Sequence, residues 1–368
     1  MFTIPDLPLL KMCLDDPSKP IGARMRASYH LKQIYQLSST TAATKNEVVS
    51  SLTSNLSVKE HGKLMRHEFG YVLGQLKDPQ AIPALCAQID DVAEDCICRH
   101  ECAEALGAIC SSTTPADLLE LAMDTLKRNE SNPANPVEVR ETCTIAINFV
   151  SWKSTPASSD ESTAPMACAC MLSSFDSTDP APPHPSHQDL SFTEIGAILR
   201  DTGTPLFERY RAMFSLRNKG GPDAAHELGK ALVGDTTSAL FRHEVAFVLG
   251  QLQAVEGLDY LARSLRRVDE HEFVRHESAE AIGAIEGAWE KSEAILREFL
   301  QDSDLTVRQS CEVALDAADY FGLSGVPAQQ MSESESEFEP SVFSFTSVKG
   351  TTKSHLNIKE KHNMVCPL

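Results

Sequence analysis

The sequence predicts an all-α protein, a solenoid of helical hairpins in two related halves, because one helical segment occurs four times. The copies align without gaps and keep the apolar spacing of an amphipathic helix, and no alternating strand pattern competes. His67 and His100 are 33 residues apart, as are His243 and His276, and the two pairs are offset by 176 residues. The duplicated unit is therefore larger than one repeat. The four copies are RHEFGYVLGQL (66–76), RHECAEALGAI (99–109), RHEVAFVLGQL (242–252) and RHESAEAIGAI (275–285).

Weaker copies extend the repeat on both sides of each pair. RMRASYHL (24–31) is similar to RYRAMFSL (209–216), and VEVRETCTIAI (137–147) is similar to LTVRQSCEVAL (305–315). A period near 33 residues with two helices per unit is typical of helical solenoids such as HEAT repeats. We therefore predict an all-α HEAT-repeat solenoid with two symmetry-related halves of about four repeats each.

The composition of the chain changes at three places, which predicts four regions. Residues 151–188 are rich in Ser, Thr and Pro, as a flexible or semi-extended linker is. After residue 322 the sequence MSESESEFEPS and a polar tail have no period, which predicts disorder. The predicted regions are an N-terminal HEAT-repeat half (1–150), the linker (151–188), a C-terminal HEAT-repeat half (189–321) and a disordered acidic and polar tail (322–368).

The balance of charges is acidic, with 33 Lys and Arg against 52 Asp and Glu and a formal net charge of −19. Nucleic-acid binding needs a basic surface, so we predict no nucleic-acid partner. The acidity suits a cationic substrate or a basic protein partner through long-range attraction, and it would equally serve solubility alone.

The cysteines and the N-terminus predict a cytoplasmic protein. Eleven cysteines are an odd number, and the local cluster of Cys96, Cys98 and Cys102 lacks the partner cluster that a zinc site needs. Cys168 and Cys170 lie in the linker and are interpreted as incidental. We identify neither a secretory signal nor an apolar stretch long enough for a transmembrane helix. A reducing cytosol with free thiols is the simplest interpretation.

The repeated histidine faces away from the apolar side of its own helix. With about 100° of rotation per residue, the apolar positions lie between about 140° and 240° from the histidine. Most single histidines of this kind are satisfied core residues, but this geometry opposes that interpretation here. The adjacent glutamate lies about 100° around the helix axis from the histidine, at the edge of the same open face. In the first copy the apolar positions are Phe69, Val72, Leu73 and Leu76.

The histidines and glutamates of the four copies form a candidate set of metal ligands. Because the second helices of successive hairpins stack side by side in a solenoid, equivalent His-Glu pairs become neighbours. Nitrogen and oxygen ligands without a thiolate suit Fe, Mn, Zn or Co. Two histidines and one carboxylate per ion, with open positions, are typical of non-haem iron sites. The candidate ligands are His67, Glu68, His100, Glu101, His243, Glu244, His276 and Glu277.

Small residues accompany every copy. The third position after each histidine is Gly or Ala, and the seventh is always Gly. A glycine inside a helix costs roughly 1 kcal/mol relative to alanine, so a repeated glycine indicates a purpose. That purpose is space beside the imidazole, and the alternatives are close packing of helices or a helix C-cap. The seventh-position residues are Gly74, Gly107, Gly250 and Gly283.

Two further acids, Glu104 and Glu280, follow His100 and His276 by four residues. They would support the ligands or contact substrate, or else form salt bridges with Arg66 or Arg242 of a neighbouring repeat, and the salt bridges are slightly favoured. The arginine before each histidine is interpreted as mainly structural. These arginines are Arg66, Arg99, Arg242 and Arg275.

Four His-Glu pairs in the setting RHE-x₃-(V/A)-(L/I)-G-(Q/A)-(L/I) strongly resemble the deoxyhypusine hydroxylase family. The resemblance covers both halves, about 280 of the 368 residues, and leaves out the linker and the tail. It implies a HEAT-repeat di-iron monooxygenase that hydroxylates the deoxyhypusine side chain of a translation initiation or elongation factor. The reaction uses O₂ and completes hypusine. No redox-cofactor motif is present, so the electrons would come from an external reductant.

The resemblance also implies roles for individual residues. One iron would take His67, His100 and Glu101. The other iron would take the corresponding residues of the second half. Glu68 and Glu244 would then be freer to hold the amine cations of deoxyhypusine and to orient the carbon that is oxidised, which makes them the candidate catalytic residues. The ligands of the second iron would be His243, His276 and Glu277.

Two other functions stay open at this point. One is a non-catalytic HEAT-like binding scaffold, a relative of bilin lyases, which would carry no stoichiometric iron. The other is a dinuclear Mn or Zn hydrolase, which would be colourless and insensitive to oxygen.

Overall fold

A computed structural model of the chain describes residues 6–154 and 177–320. Over these residues the chain forms α-helices joined by short loops and 3₁₀ turns, with no β-strand, which confirms the predicted all-α class. The helices before residue 155 are α1 Leu7–Leu14, α2 Ile21–Gln36, α3 Ala42–Leu56, α4 Lys63–Leu76, α5 Ile82–Asp90, α6 Cys96–Ile109, α7 Ala116–Ser131 and α8 Val137–Ser154. Those after residue 177 are α9 Phe192–Arg200, α10 Leu206–Lys219, α11 Gly221–Gly234, α12 Ala239–Leu252, α13 Leu258–Arg266, α14 Glu272–Ala284, α15 Trp289–Glu298 and α16 Leu305–Tyr320.

The four helices that carry the His-Glu pairs are α4, α6, α12 and α14, and local signals define their ends. Side chains at the N-caps of three of them accept backbone hydrogen bonds, Asp95 for α6, Ser238 for α12 and His271 for α14. Helices α4 and α12 both end in a left-handed residue, Lys77 and Gln253, each at φ 54°. The two helices thus end in the same way at equivalent positions.

The even-numbered helices pack against one another in a closed series. Helices α2, α4, α6 and α8 follow each other on one side, and α10, α12, α14 and α16 on the other. Contacts of α8 with α10 and α12, and of α16 with α2 and α4, join the two sides at both ends. The faces of α4, α6, α12 and α14 that point away from their own hairpins therefore meet in the middle of the molecule.

The described residues at both ends of the predicted linker 151–188 are packed. Helix α8 continues to Ser154. Near the other end, Asp179 Oδ2 lies 2.5 Å from Arg217 Nη2, and His187 Nδ1 lies 2.9 Å from Ser215 Oγ. Residues 177–188 thus pack on α10. The predicted tail 322–368, together with Cys168 and Cys170, lies outside the described residues, and the division into domains stays a prediction.

Arg66 and Arg242, which precede histidines of the repeat, bind partners in the loop of the next hairpin. Arg66 donates to both carboxylate oxygens of Glu94, at 3.1 and 2.7 Å, and Arg242 binds Glu270 in the same way at 2.9 and 2.6 Å. Burial alone would raise the pKa of Glu94, but hydrogen bonds from Arg66 and Lys59 outweigh it and hold the pKa at about 2. The favoured expectation that Glu104 and Glu280 pair with Arg66 or Arg242 is therefore wrong, because both guanidinium groups are already engaged.

Replacing Glu94 with glutamine is expected to reduce the free energy of unfolding by about 3 kcal/mol at pH 7, since the folded pKa of about 2 lies below the unfolded value of 4.5. A depressed carboxyl pKa stabilises the fold above the unfolded pKa, and this stabilisation is lost as pH falls through the folded pKa. The difference between the two proteins should therefore shrink between about pH 5 and pH 2.

Urea unfolding of the metal-free proteins at several pH values measures this difference. Glu120, which is exposed on α7, provides the control, and Glu120→Gln should stay within about 0.5 kcal/mol of the unchanged protein. A constant difference between Glu94→Gln and the unchanged protein from pH 7 to pH 3 would contradict the role given to the Arg66–Glu94 pair.

Three of the repeated glycines, Gly74, Gly107 and Gly283, serve helix packing. A Cβ at Gly74 would lie 3.0 Å from Ala105 Cα, and one at Gly283 would lie 2.7 Å from Ala314 Cβ. The space at these positions is filled by the neighbouring helix, so the alternative of an open space beside the imidazole is wrong for them. Gly70 differs, because a Cβ there would lie 3.2 Å from Glu101 Cγ. This glycine admits the stem of a candidate ligand.

The substitution Gly283→Ala is expected to destabilise the fold by about 1–3 kcal/mol, because α14 and α16 must move apart. The gain in helix propensity, roughly 1 kcal/mol, does not compensate for this overpacking. Gly234→Ala is the matched control, since nothing lies within 4 Å of a Cβ at that position. Chemical denaturation should show the control to be neutral or stabilised; equal effects of both substitutions would rule out the packing explanation.

Candidate metal centre

The structure brings the four repeated histidines together at the centre of the molecule. The ring centroids of His67 and His100 are 5.4 Å apart, and those of His243 and His276 are also 5.4 Å apart. Across the two sides, His67 lies 6.2 Å from His243 and 5.4 Å from His276, and His100 lies 5.2 Å from His243. Each histidine faces away from the apolar stripe of its own helix, but all four are at most 8% exposed.

The four glutamates next to these histidines line the same space in two different ways. Glu101 Oε2 is 3.3 Å from His67 Nε2, and Glu277 Oε2 is 3.3 Å from His243 Nε2. Each of these carboxylates thus reaches a histidine of the neighbouring site helix, α4 for Glu101 and α12 for Glu277. Glu68 instead accepts a hydrogen bond from the hydroxyl of Tyr29, and Oε1 of Glu244 has no hydrogen-bond partner.

The buried polar atoms fit a bound metal ion. Both ring nitrogens of three of the histidines, together with Nε2 of His67, lack a hydrogen-bond partner, although such buried groups are normally paired. Within the described residues, two groups of ligand atoms lie within 4.8 Å of one another. One is His67, His100 and Glu101, and the other is His67, His243 and His276. The second group crosses between the two sides of the molecule, which the repeat spacing did not predict.

Burial keeps the imidazoles neutral, the form that binds metals. It lowers the pKa of His67 to about 4 and that of His100 well below its usual range. Burial has the opposite effect on carboxyl groups, and it raises the pKa of Glu101 to about 8. The pKa of Glu277 is raised well above normal, first by burial and then by the neighbouring carboxylates. A cation among these groups would reverse the carboxyl shifts.

Sequence reasoning missed several residues at this centre. Phe273 packs against the rings of His100 and His243, with centroids 4.5 and 4.1 Å away, and closes the centre near the first turn of α14. Tyr29 reaches Glu68 from α2. The weak copy RMRASYHL was a signal for the place of Tyr29, but the equivalent copy has Phe214 there. Nothing in the repeat pattern marked Phe273.

An acidic cavity adjoins the histidines. Tyr71 and Phe247, four residues after the first histidine of each side, contribute to its wall. Glu104 and Glu280 line it as well, so both belong to the site. The carboxylates that line the cavity are Glu68, Glu101, Glu104, Glu244, Glu277 and Glu280.

The array of helical repeats and the buried cluster of imidazoles and carboxylates place the chain in a class of proteins: helical-repeat proteins with a candidate metal centre in their interior. Comparison with known families agrees with the repeats. Residues 225–316 match the HEAT repeats, and residues 65–91 match the PBS lyase HEAT-like repeat. None of the helices that the structure describes is long and apolar enough to cross a membrane.

Known proteins identify the family. The chain is 38% identical over 320 residues to deoxyhypusine hydroxylase of Mus musculus. The alignment covers 87% of this chain and 94% of that protein. It is 37% identical over 319 residues to the enzyme of Chaetomium globosum, over 84% of this chain and 87% of that protein. The solved structure of human deoxyhypusine hydroxylase in complex with glycerol is similar with a TM-score of 0.68 and 36% identity, over 84% of this chain and 94% of that chain.

The chain belongs to the deoxyhypusine hydroxylase family. It is accordingly an enzyme, a deoxyhypusine monooxygenase of hypusine biosynthesis, which confirms the resemblance and excludes the scaffold without chemistry. The family depends on metal, and the described histidine and glutamate groups could hold one.

Proposed function

We propose that this chain hydroxylates the deoxyhypusine side chain of a translation initiation or elongation factor at two iron ions. One atom of O₂ enters a C–H bond of the side chain, and the other leaves as water with electrons and protons from an external reductant. The observation that carries this proposal is the set of buried imidazole nitrogens without hydrogen-bond partners, faced by carboxylates. Bound iron would supply the activation of O₂, and the chain supplies the ligands, the cavity and the contacts to the substrate.

Distances support a division of the ligands between two ions. For the first ion, Glu101 approaches His67 at 3.3 Å and His100 at 3.7 Å. For the second ion, Glu277 approaches His243 at 3.3 Å, with His276 on the same helix as Glu277. Each set has two nitrogen ligands and one oxygen ligand, the combination that suits iron with open positions.

Glu68 and Glu244 are the candidates for holding the substrate. Both are at most 3% exposed, and both line the cavity beside the histidines. Deoxyhypusine is a lysine extended by an aminobutyl group, so its amines are cationic. Buried carboxylates that lack a full set of partners would bind these cations strongly, because charge-assisted hydrogen bonds are the strong ones. The net charge of −19 would favour the approach of a basic protein surface.

Metal analysis combined with absorption spectroscopy tests this function. The aerobically purified protein is expected to hold two irons per chain, to absorb in the visible range and to hydroxylate a deoxyhypusine-containing protein only when O₂ is present. A colourless protein that holds Mn or Zn and still hydroxylates would reject iron as the metal. A folded protein that hydroxylates without bound metal would contradict the di-iron proposal.

We also infer a cytoplasmic location and no partner among nucleic acids or membranes. The described cysteines have free thiols, and seven of these eight are buried, as expected for a protein in a reducing compartment. The acidic net charge opposes binding to a phosphate backbone. Fractionation of cells and a salt-dependent DNA-binding assay would test these inferences.

A further inference from the structure

The cavity has two ends that equivalent residues form, yet the two ends differ chemically. At the first end, Glu68 of α4 and Glu280 of α14 are electrostatic neighbours. At the second end, Glu244 of α12 and Glu104 of α6 are neighbours in the same way. Each end thus combines one carboxylate from each side of the molecule.

The carboxylates of the first end accept hydrogen bonds from hydroxyl groups of the protein. Tyr29 of α2 donates its hydroxyl to Glu68. Ser310 of α16 donates to Glu280 Oε1 at 2.7 Å, and Nδ1 of His276 lies 3.6 Å from the same oxygen. Helices α2 and α16 pack against each other, so their hydroxyl groups reach this end together. Both acids here are buried, and both have donors from the protein itself.

The corresponding donors are missing at the second end. Phe214 stands where Tyr29 stands in the aligned copy, and it has no hydroxyl. Thr142 aligns with Ser310, but its Oγ1 donates to the backbone oxygen of Glu138 at 2.9 Å. As a result Glu244, which is 2% exposed and lines the cavity, has an Oε1 atom without a hydrogen-bond partner.

The charged groups near the second end are already paired. Arg217, which lies near enough to act on Glu244, binds Asp179 through both terminal nitrogens at 2.6 and 2.5 Å. It also donates to Gln251 Oε1 at 2.8 Å. Asp179 acts on Glu244 and Glu104 as a further negative charge. The pair of Arg217 and Asp179 is neutral as a unit, so it does not compensate the two carboxylates.

Access also differs between the ends. Glu104 is partly exposed, whereas Glu280 is only 5% exposed. A cation that comes from solvent can therefore reach the second end at Glu104 and then Glu244. At the first end it would have to displace donors that the fold holds in place.

We propose that the terminal ammonium group of the substrate chain binds between Glu104 and Glu244, and that Tyr29 and Ser310 keep the opposite end closed to it. This inference rests on the proposed function, since it assigns the cation of that substrate to one end of the cavity. Glu104 becomes a binding residue for the substrate, and Tyr29 a positioning residue for Glu68.

Glu104 and Glu280 form a matched pair for the test, because they are equivalent in the repeats and neither belongs to the predicted metal ligands. The probe is a synthetic peptide with one deoxyhypusine residue, titrated into the iron-loaded protein without O₂ so that no turnover occurs. Glu104→Gln is expected to raise the dissociation constant at least about tenfold. Glu280→Gln, which can still accept from Ser310, is expected to change it less than about threefold.

A second probe isolates the contact itself. When the terminal amine of the peptide is acetylated, the unchanged protein should bind it more weakly, and Glu104→Gln should then cause almost no further loss. Equal losses for Glu104→Gln and Glu280→Gln, or an equal loss with both probes, would overturn the proposal. Should Glu104→Gln fail to fold or to hold iron, Glu244→Gln compared with Glu68→Gln decides by the same criteria.

Failure of the proposed function would give results that differ from failure of this assignment. In that case the unchanged protein would lack iron or would form no hydroxylated product in air, whatever the four variants do in the binding titration. Normal iron content and hydroxylation with a dominant effect of Glu280→Gln would instead reject only the assignment of the cation to the second end.

Discussion

The substitution His67→Ala is expected to remove at least one of the two irons and to lower hydroxylation by more than about a hundredfold, beyond the effect typical of residues that only support ligands. His67 is the one residue common to both candidate groups of ligand atoms within the described chain. Its Nε2 lies 3.3 Å from Glu101 and has no hydrogen-bond partner to lose. Its loss therefore removes a metal ligand while it leaves the hydrogen bonds of the fold intact.

Iron content per chain and the rate of hydroxylated product are the two measurements. His226, exposed on α11, offers the control, and His226→Ala should keep both irons and full activity. Iron occupancy that stays at two in His67→Ala would show that the ligand assignment is wrong. Loss of a single iron would favour the two separate sets, whereas loss of both would favour strong coupling between the ions across the centre.

Removal of the metal with a chelator is expected to lower the free energy of unfolding by about 4 kcal/mol, the value for a ligand present at a thousand times its dissociation constant. The expected fall in melting temperature is roughly 10 °C. In the metal-free protein the neutral imidazoles face one another without donors, for example His67 and His100 at 5.4 Å. Buried polar groups without partners are costly, and a metal ion that binds only the folded state satisfies them.

Calorimetric melting of the iron-loaded and the chelated protein measures this effect. The variant His67→Ala, His243→Ala serves as the reference, because a chelator should no longer change its melting temperature. If the chelated and loaded forms of the unchanged protein melted together, the centre would contribute nothing to folding, and a tightly bound metal in this cluster would be ruled out.

Much of the site was predictable because the repeat carries it. The apolar residues Phe69 and Leu73 identify the side of the helix that packs in its own hairpin, and His67 lies opposite. The same reasoning failed for Glu104 and Glu280, since their angular position allows several partners. Arg66 binds Glu94 across a hairpin loop, 28 residues away, and the local pattern does not contain that distance.

The sequence by itself determined the helical class, the period and the eight candidate ligands, because a periodic pattern of apolar residues defines which face of each helix is left free. Only the tertiary structure decided which free faces meet. The contact of α16 with α2 closes the series of helices and brings Glu68 beside Glu280. It also places Tyr29 and Ser310 at one end of the cavity and leaves Glu244 without a donor at the other. Such contacts join residues more than two hundred positions apart, and their energy depends on the packing of the whole ring of helices.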